Sequence, residues 1–462
     1  MEAPFSAGSP GGDVRVAVGG EFPWFCEAFK GTQEILTGNE SFLEPPAQVQ
    51  EVLSRLARAG HEAFIVGGAL RDLILGRPAQ DWDVATSASP SQVSALFPRV
   101  IPTGARHGTV TVRLGGQSIE VTSFRGRTIL EDLSHRDFTL DAMAYDPRSS
   151  SILDPYRGKL DARQRLLRAV GEASQRMAED PLRALRGVRL AAELNLRLDE
   201  ELFCAIGEAA PWLRRVATER IRQELERILL VQNPLWALKL LVESGLMKEI
   251  LPALAQAEDF PHSSWFFETV GLLPGRASLR WAALLLGVER DFSPLLREGP
   301  QESLAQRAGE VLLRLRVSRR QAEQTVRTLY HHAISYNLPW DEAKLRSFIF
   351  QAGPQVAQDA ILLRKATLQA VEAPREALCN LEELLGKLLF ILSNSEALSK
   401  MRPVLTGREV MDILGLSPGP KVGEILAQMQ QAVLSEPQLN QKRTLMEWLL
   451  EKRGGLQDAD SK

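Results

Sequence analysis

Between Ala47 and Ala63 the apolar residues Val49, Val52, Leu53 and Leu56 recur at the three-and-four spacing of one helical face, and the pattern stops at Gly60. The period then changes. From Phe64 to Phe124 the runs "AFIVGG", "WDVAT", "GTVTVRLGG" and "QSIEVTSF" are short, β-branched and punctuated by glycine, which predicts strands. "SPSQVSALFP" among them reads as a helix capped by Ser89 or Ser91. After Tyr156 the strand pattern ends. "LDARQRLLRAVGEASQRMAEDPLRALRGVRLAAELNL" and "ATERIRQELERILL" are helical, and further helices follow, broken at "LPALAQ", "FPHSS" and "LSPGPK". The expected class is α+β: a compact sheet unit followed by a long helical body.

A chain of 462 residues is too long for one hydrophobic core, so several domains are expected. Hydrophobic content of 44% and charged content of 24% are ordinary for a globular protein. The formal net charge of −3 means that any nucleic-acid contact must come from a local patch. The three cysteines, Cys26, Cys204 and Cys379, have no metal-ligand spacing and argue for a reducing, cytoplasmic setting. No run of 18 apolar residues suggests a membrane span. "MEAPFSAGSPGG" has neither the basic start nor the apolar centre of a secretory signal, and residues 1–45 are expected to form a flexible extension.

Candidate chemistry begins at "FIVGGALRDLILGRPAQDWDVATS", residues 64–87. On a strand, Asp81 and Asp83 project to one face with Trp82 opposite. Such a carboxylate pair suits a hard cation, Mg²⁺ above all, as phosphoryl transfer requires. Glu120, on an expected neighbouring strand, is a candidate third carboxylate. Gly67 and Gly68 precede a helix and would let backbone amides approach a phosphate, with Arg71 adding a charge-assisted contact. Alone, an Asp-x-Asp is usually a solvated strand end, and a Gly-Gly turn is common. Their joint placement on strand, turn, helix and strand is much more specific.

With those residues in place, "GGALRDLILGRPAQDWDVAT" resembles the nucleotide-binding motif of the class II tRNA nucleotidyltransferase and bacterial poly(A) polymerase family. "TGARHGTVTV", "HRDFTLDAMAYD", "EDPLRALRGVRLAAEL" and "ERIRQELERIL" resemble further family motifs in the right order, and "LTGREVMDILGLSPGPKVGEIL" is similar to the tail of bacterial members. The resemblance implies a polymerase-β-like nucleotidyltransferase head with a small mixed sheet, then an all-α neck, body and tail. The corresponding spans are 46–160 for the head, 161–245 for a base-recognising neck, and 246–395 and 396–462 for a body and tail that bind tRNA. It implies Mg²⁺ on Asp81 and Asp83, with the tRNA 3′ end, CTP and possibly ATP as partners.

In this family Asp180 and Arg183 match the pair that reads the base. At i and i+3 they are expected on one helical face. Cytosine and adenine both present an amino donor beside a ring-nitrogen acceptor. A carboxylate and a guanidinium answer both bases and mismatch uracil and guanine. Arg186 and Arg189 continue the stripe, with the triphosphate or the RNA 3′ end as expected targets; an arbitrary stripe of this kind would be an ion-paired surface. The resemblance also implies that Arg136 contacts the nucleotide and that Asp137 orders the site. The chain departs from the pattern at His135, usually Arg, and Asp141, usually Asn. His107 is read as structural rather than as a general base.

Only "RGRTILEDLS" joins the "EVTSF" strand to the "HRDF" motif. Family members that add the whole CCA usually carry a longer mobile loop there, linked to the switch from CTP to ATP. The expectation is therefore a CC-adding enzyme with a separate A-adding partner. The alternatives are full CCA addition, a poly(A) polymerase, disfavoured by the non-basic ending "GGLQDADSK", and a non-catalytic RNA-binding protein.

Overall fold

The computed structural model describes residues 44–104, 108–255, 265–289, 298–337, 340–394 and 401–457. Nearly all of the expected N-terminal extension, and His107, lie outside these residues. The chain divides into two compact units. One runs to Thr122 and takes in Tyr145–Ile152; the other comprises Ser123–Ala144 and everything from Leu153.

In the first unit, helix α1 (Ala47–Arg58) buries Val49, Val52, Leu53 and Leu56, the stripe read from the sequence. The sheet has the order β3-β4-β5-β2-β1-β6-β7. Its strands are β1 (Ala63–Val66), β2 (Asp83–Thr86), β3 (Val100–Gly104), β4 (Thr109–Leu114), β5 (Gln117–Ser123), β6 (Ala144–Asp146) and β7 (Ser151–Leu153). β1 lies between β2 and β6, and all four of its residues are buried, hence the unbroken apolar run. β3 was not expected from the sequence. It sits at the sheet edge with mostly exposed residues and an irregular register against β4, so it carries no alternating apolar signal. Helix α2 (Gly68–Ile74) follows β1, and α3 (Pro90–Leu96) is closed by a capping box of Ser89 and Gln92.

The second unit is mainly helical, but strands do not vanish. A two-residue parallel pair, β8 (Leu166–Leu167) with β9 (Arg197–Leu198), is too short for a periodic signal. Helix α4 (Ile129–Ser134) leads into the segment 135–141, which pairs with residues 168–170 through Thr139 N–H to Arg168 O at 3.0 Å and Val170 N–H to Asp137 O at 3.2 Å. Beneath it the Thr139 hydroxyl donates to the buried Asp161 of α5 (Gly158–Arg163) at 2.6 Å. Burial pushes the Asp161 carboxyl above its usual range, against the opposing pull of Thr139 and Arg168. Helices α6 (Ala173–Glu179), α7 (Leu182–Leu194), α8 (Glu200–Ala209) and α9 (Thr218–Leu230) follow. α7 buries most of its length, and Gly187 leaves room for the rings and methyls of Phe138 and Ile206. The buried Arg280 guanidinium donates to the carbonyls of Leu229, Val231 and Leu273, fixing the end of α9 to the following helices. Asp359, also buried, is held by Arg276 at 2.6 Å. Separate apolar clusters centre on Leu381, Leu384 and Leu388, and on Val410, Met429 and Leu445.

Candidate active site

In the first unit the β1–β2 ladder pairs Val66 with Asp83 as its last rung. The Gly67–Gly68 turn and the two aspartates therefore occupy one end of the same ladder. Gly67 has φ 75° and ψ −146°, a conformation only glycine adopts at low cost. A Cβ on Gly68 would lie 3.3 Å from the Arg71 guanidinium, so the missing side chain lets Arg71 fold back over the turn. Arg71 is also paired with Asp72 at 3.0 Å.

The aspartates differ slightly from expectation. Asp83 opens β2, whereas Asp81 lies in a bend before it. Alternation still holds: Trp82 is buried, Asp83 half-buried and Asp81 exposed. Glu120 is exposed on β5, the strand beside β2. It does not complete a cluster with the aspartates. Among the described residues, no three acidic, histidine or cysteine side chains are grouped to hold a metal ion.

In the second unit Asp137 is the hub. Its two carboxylate oxygens lie 2.6 Å from Arg183 Nε and 3.1 Å from Arg186 Nε. Arg183 Nη1 donates to Glu179 at 2.6 Å and to the Arg176 carbonyl at 3.0 Å. Its Nη2 has only a long contact, 3.5 Å, to the His135 carbonyl. Arg183 is 9% exposed, so its guanidinium is aligned by the protein with Nη2 as its least engaged nitrogen. Burial raises the Glu179 carboxyl, but the Arg183 hydrogen bond and the charges of Arg176 and Arg183 outweigh this and hold it below the usual range. Arg136 is held between the Asp132 carboxylate, at 3.2 Å, and the Asp141 carbonyl, at 3.4 Å.

Two expectations are corrected here. Asp180 and Arg183 do not share one continuous helix. α6 ends at Glu179, and Asp180 is extended, with φ −148° and ψ 101°. Pro181 disfavours helical geometry at the residue before it, a signal present in the sequence. Asp180 instead accepts the Leu182 N–H at 3.1 Å and the Arg220 guanidinium at 2.8 Å. Arg189 does not continue a ligand-facing stripe with Arg186. It is 11% exposed in its side chain and bound to Glu224 at 2.7 Å and Glu193 at 2.6 Å. Sequence reasoning missed Glu179, Asp132 and Arg220. Glu179 and Asp132 stand four residues before Arg183 and Arg136, a legible ion-pair spacing; Arg220 is forty residues from Asp180 and has no local signal.

Comparison with known proteins covers both units. Residues 63–168 match the model of the Poly A polymerase head domain, 195–258 that of the probable RNA and SrmB-binding site of polymerase A, and 303–449 that of tRNA nucleotidyltransferase domain 2. The CCA-adding enzyme of Geobacillus kaustophilus is 32% identical over 429 residues, which span 89% of this chain and 98% of that one. That of Streptococcus mutans is 30% identical over 436 residues, spanning 87% and 97%. The crystal structure of the Bacillus stearothermophilus CCA-adding enzyme in complex with CTP has a TM-score of 0.73 and 31% identity, covering 90% of this chain and 100% of that chain.

Proposed function

The chain belongs to the tRNA nucleotidyltransferase and poly(A) polymerase family, and from that premise we propose that it builds the CCA end of tRNA from CTP and ATP. The relatives that it matches over nearly their whole length are CCA-adding enzymes, which favours the complete reaction over the cytidine-only one expected from the sequence. The observation that carries the reading is the glycine turn set beside Asp83 at one end of the β1–β2 ladder.

In this reading the 3′-hydroxyl of the RNA attacks the α-phosphate of the incoming nucleotide, and pyrophosphate leaves. The Gly67–Gly68 turn and Arg71 bind the triphosphate. Asp81 and Asp83 would hold Mg²⁺. The fit is good for that ion, which is commonly bound by one or two carboxylates and completes its shell with water and substrate phosphate. When bound, it neutralises phosphate charge and activates the attacking hydroxyl. Arg183 Nη2 donates to the ring nitrogen of cytosine or adenine, and Asp180 accepts from the amino group. Asp137 and Glu179 keep the guanidinium oriented, and Arg220 does the same for Asp180. Uracil and guanine would set a carbonyl against the carboxylate and leave buried polar groups unpaired. Arg136 and Arg186 are assigned to the nucleotide or the RNA terminus.

A second reading, addition of CC only, rests on the ten-residue connection 125–134. It is folded rather than open: Thr128 caps α4, and Glu131 accepts the Arg127 N–H at 2.6 Å. In that reading Arg183 stays in its cytosine geometry, and a separate enzyme adds A.

The test is Asp81→Asn and Asp83→Asn, each assayed for CTP incorporation into tRNA lacking its CCA, with and without Mg²⁺. Each variant should lose incorporation by at least about a thousandfold while unfolding at the wild-type urea midpoint. Undiminished incorporation in either variant would overturn the metal assignment.

A further inference from the structure

Asp132 is buried on α4, 2% exposed, within the short connection, and nothing in the reaction as described gives it a role. Its carboxylate has two distinct tasks. Oδ1 accepts the main-chain N–H of Arg125 at 3.0 Å. Oδ2 accepts Nε and Nη2 of Arg136 at 3.4 and 3.2 Å. The carboxylate therefore closes the connection, joining its first residue to the arginine just beyond its end. The same closure brings Arg125 Nη1 to the His135 carbonyl at 3.2 Å, the oxygen that Arg183 Nη2 also approaches at 3.5 Å.

Burying a carboxylate is costly unless it is paired and hydrogen-bonded, and here the partners are one backbone amide and one guanidinium. A carboxylate used only to stop a loop would need the amide alone. The second oxygen is spent on Arg136, whose Nη1 is fixed in turn by the Asp141 carbonyl at 3.4 Å. We infer that Asp132 is a positioning residue for the nucleotide: it fixes the Arg136 guanidinium and, through the His135 carbonyl, sets the donor nitrogen of Arg183. It touches no substrate and acts through the two arginines.

This inference rests on the assignment of Arg136 and Arg183 to the nucleotide. Asp132→Asn keeps an oxygen for the Arg125 N–H but turns an NH₂ toward the donors of Arg136, so it separates the two tasks. Asp132→Glu restores the charge on a longer stem. CTP binding by calorimetry, KM for CTP, kcat and the thermal midpoint are measured for wild type, Asp132→Asn, Asp132→Glu, Arg136→Ala and the double variant Asp132→Asn/Arg136→Ala. The expected result is an approximately tenfold weaker Kd and higher KM for CTP in Asp132→Asn, with kcat changed less than threefold. Asp132→Glu should recover part of the loss. The double variant should bind CTP no more weakly than Arg136→Ala by more than about twofold, because the asparagine keeps the Arg125 N–H bond, and with it the route to Arg183, and loses only the contact with Arg136. Losses that multiply in the double variant, or a lower thermal midpoint with Kd and KM unchanged, would overturn the inference. A wild-type chain that binds no CTP would instead overturn the proposed function.

Discussion

Replacing Arg183 by alanine separates what this residue does for folding from the base selection proposed for it. Breaking a buried ion pair usually costs about 3–5 kcal/mol, because one charge is left stranded. Here neither carboxylate partner is stranded. Asp137 keeps Arg186 at 3.1 Å, and Glu179 keeps Arg176 at 3.0 Å. The folding loss should therefore be near 1–2 kcal/mol, for the lost hydrogen bonds and the packing of the arginine stem. The functional loss should be larger. A charge-assisted hydrogen bond to the ring nitrogen contributes roughly 1.5–3 kcal/mol, which is roughly 10- to 150-fold in kcat/KM for CTP. UTP should lose less, because its ring N–H opposes the guanidinium, so the preference for CTP over UTP should narrow by a similar factor. The assay is steady-state incorporation of each nucleotide into tRNA lacking its CCA, with urea unfolding of the same preparation. An unchanged CTP-to-UTP ratio would refute the assignment of Arg183 to the base, and a folding loss above about 4 kcal/mol would refute the argument from shared partners.

Two further outcomes follow from the same geometry. Arg189→Met should lower stability by about 2–3 kcal/mol, since the nearly buried Glu224 retains only Arg227 at 3.8 Å, while kcat/KM for CTP stays within about threefold; a selective loss of CTP turnover in a stably folded variant would restore Arg189 to the site. Burial lowers the pKa of the fully enclosed His332 to about 4 from 6.5, so the unfolded chain takes up a proton that the folded chain refuses between these values. Its contribution is intact above pH 6.5 and is lost as pH falls toward 4, up to roughly 3 kcal/mol; urea unfolding of wild type and His332→Gln at pH 7 and pH 4.5 should show the wild type losing more, and parallel losses would contradict the assignment.

Much of the sheet unit was legible because its signals are local. The buried stripe of α1, the apolar run of β1, the Ser89 cap and the Gly-Gly turn before Asp81 and Asp83 each announce themselves within a few residues. Edge strand β3 and the two-residue pair β8–β9 did not, because exposure and brevity erase periodicity. The residues proposed to read the base were legible by type and not by conformation. The helical reading of Asp180 overlooked Pro181, and the stripe reading of Arg189 overlooked Glu224, a partner 35 residues away. The contacts that orient Arg183 through Asp137 and the His135 carbonyl are tertiary, and only the structure brings them together, whereas Asp132 stands four residues before Arg136 at a spacing the sequence shows.

The most direct measurement is to incubate the protein and Mg²⁺ with tRNA ending at the position before its CCA, supplying CTP alone, ATP alone or both, and to sequence the product ends. Complete CCA synthesis predicts ends that stop after CC with CTP alone, no extension with ATP alone, and CCA with both. Ends that halt at CC with both nucleotides present, or that incorporate no cytidine, would contradict it.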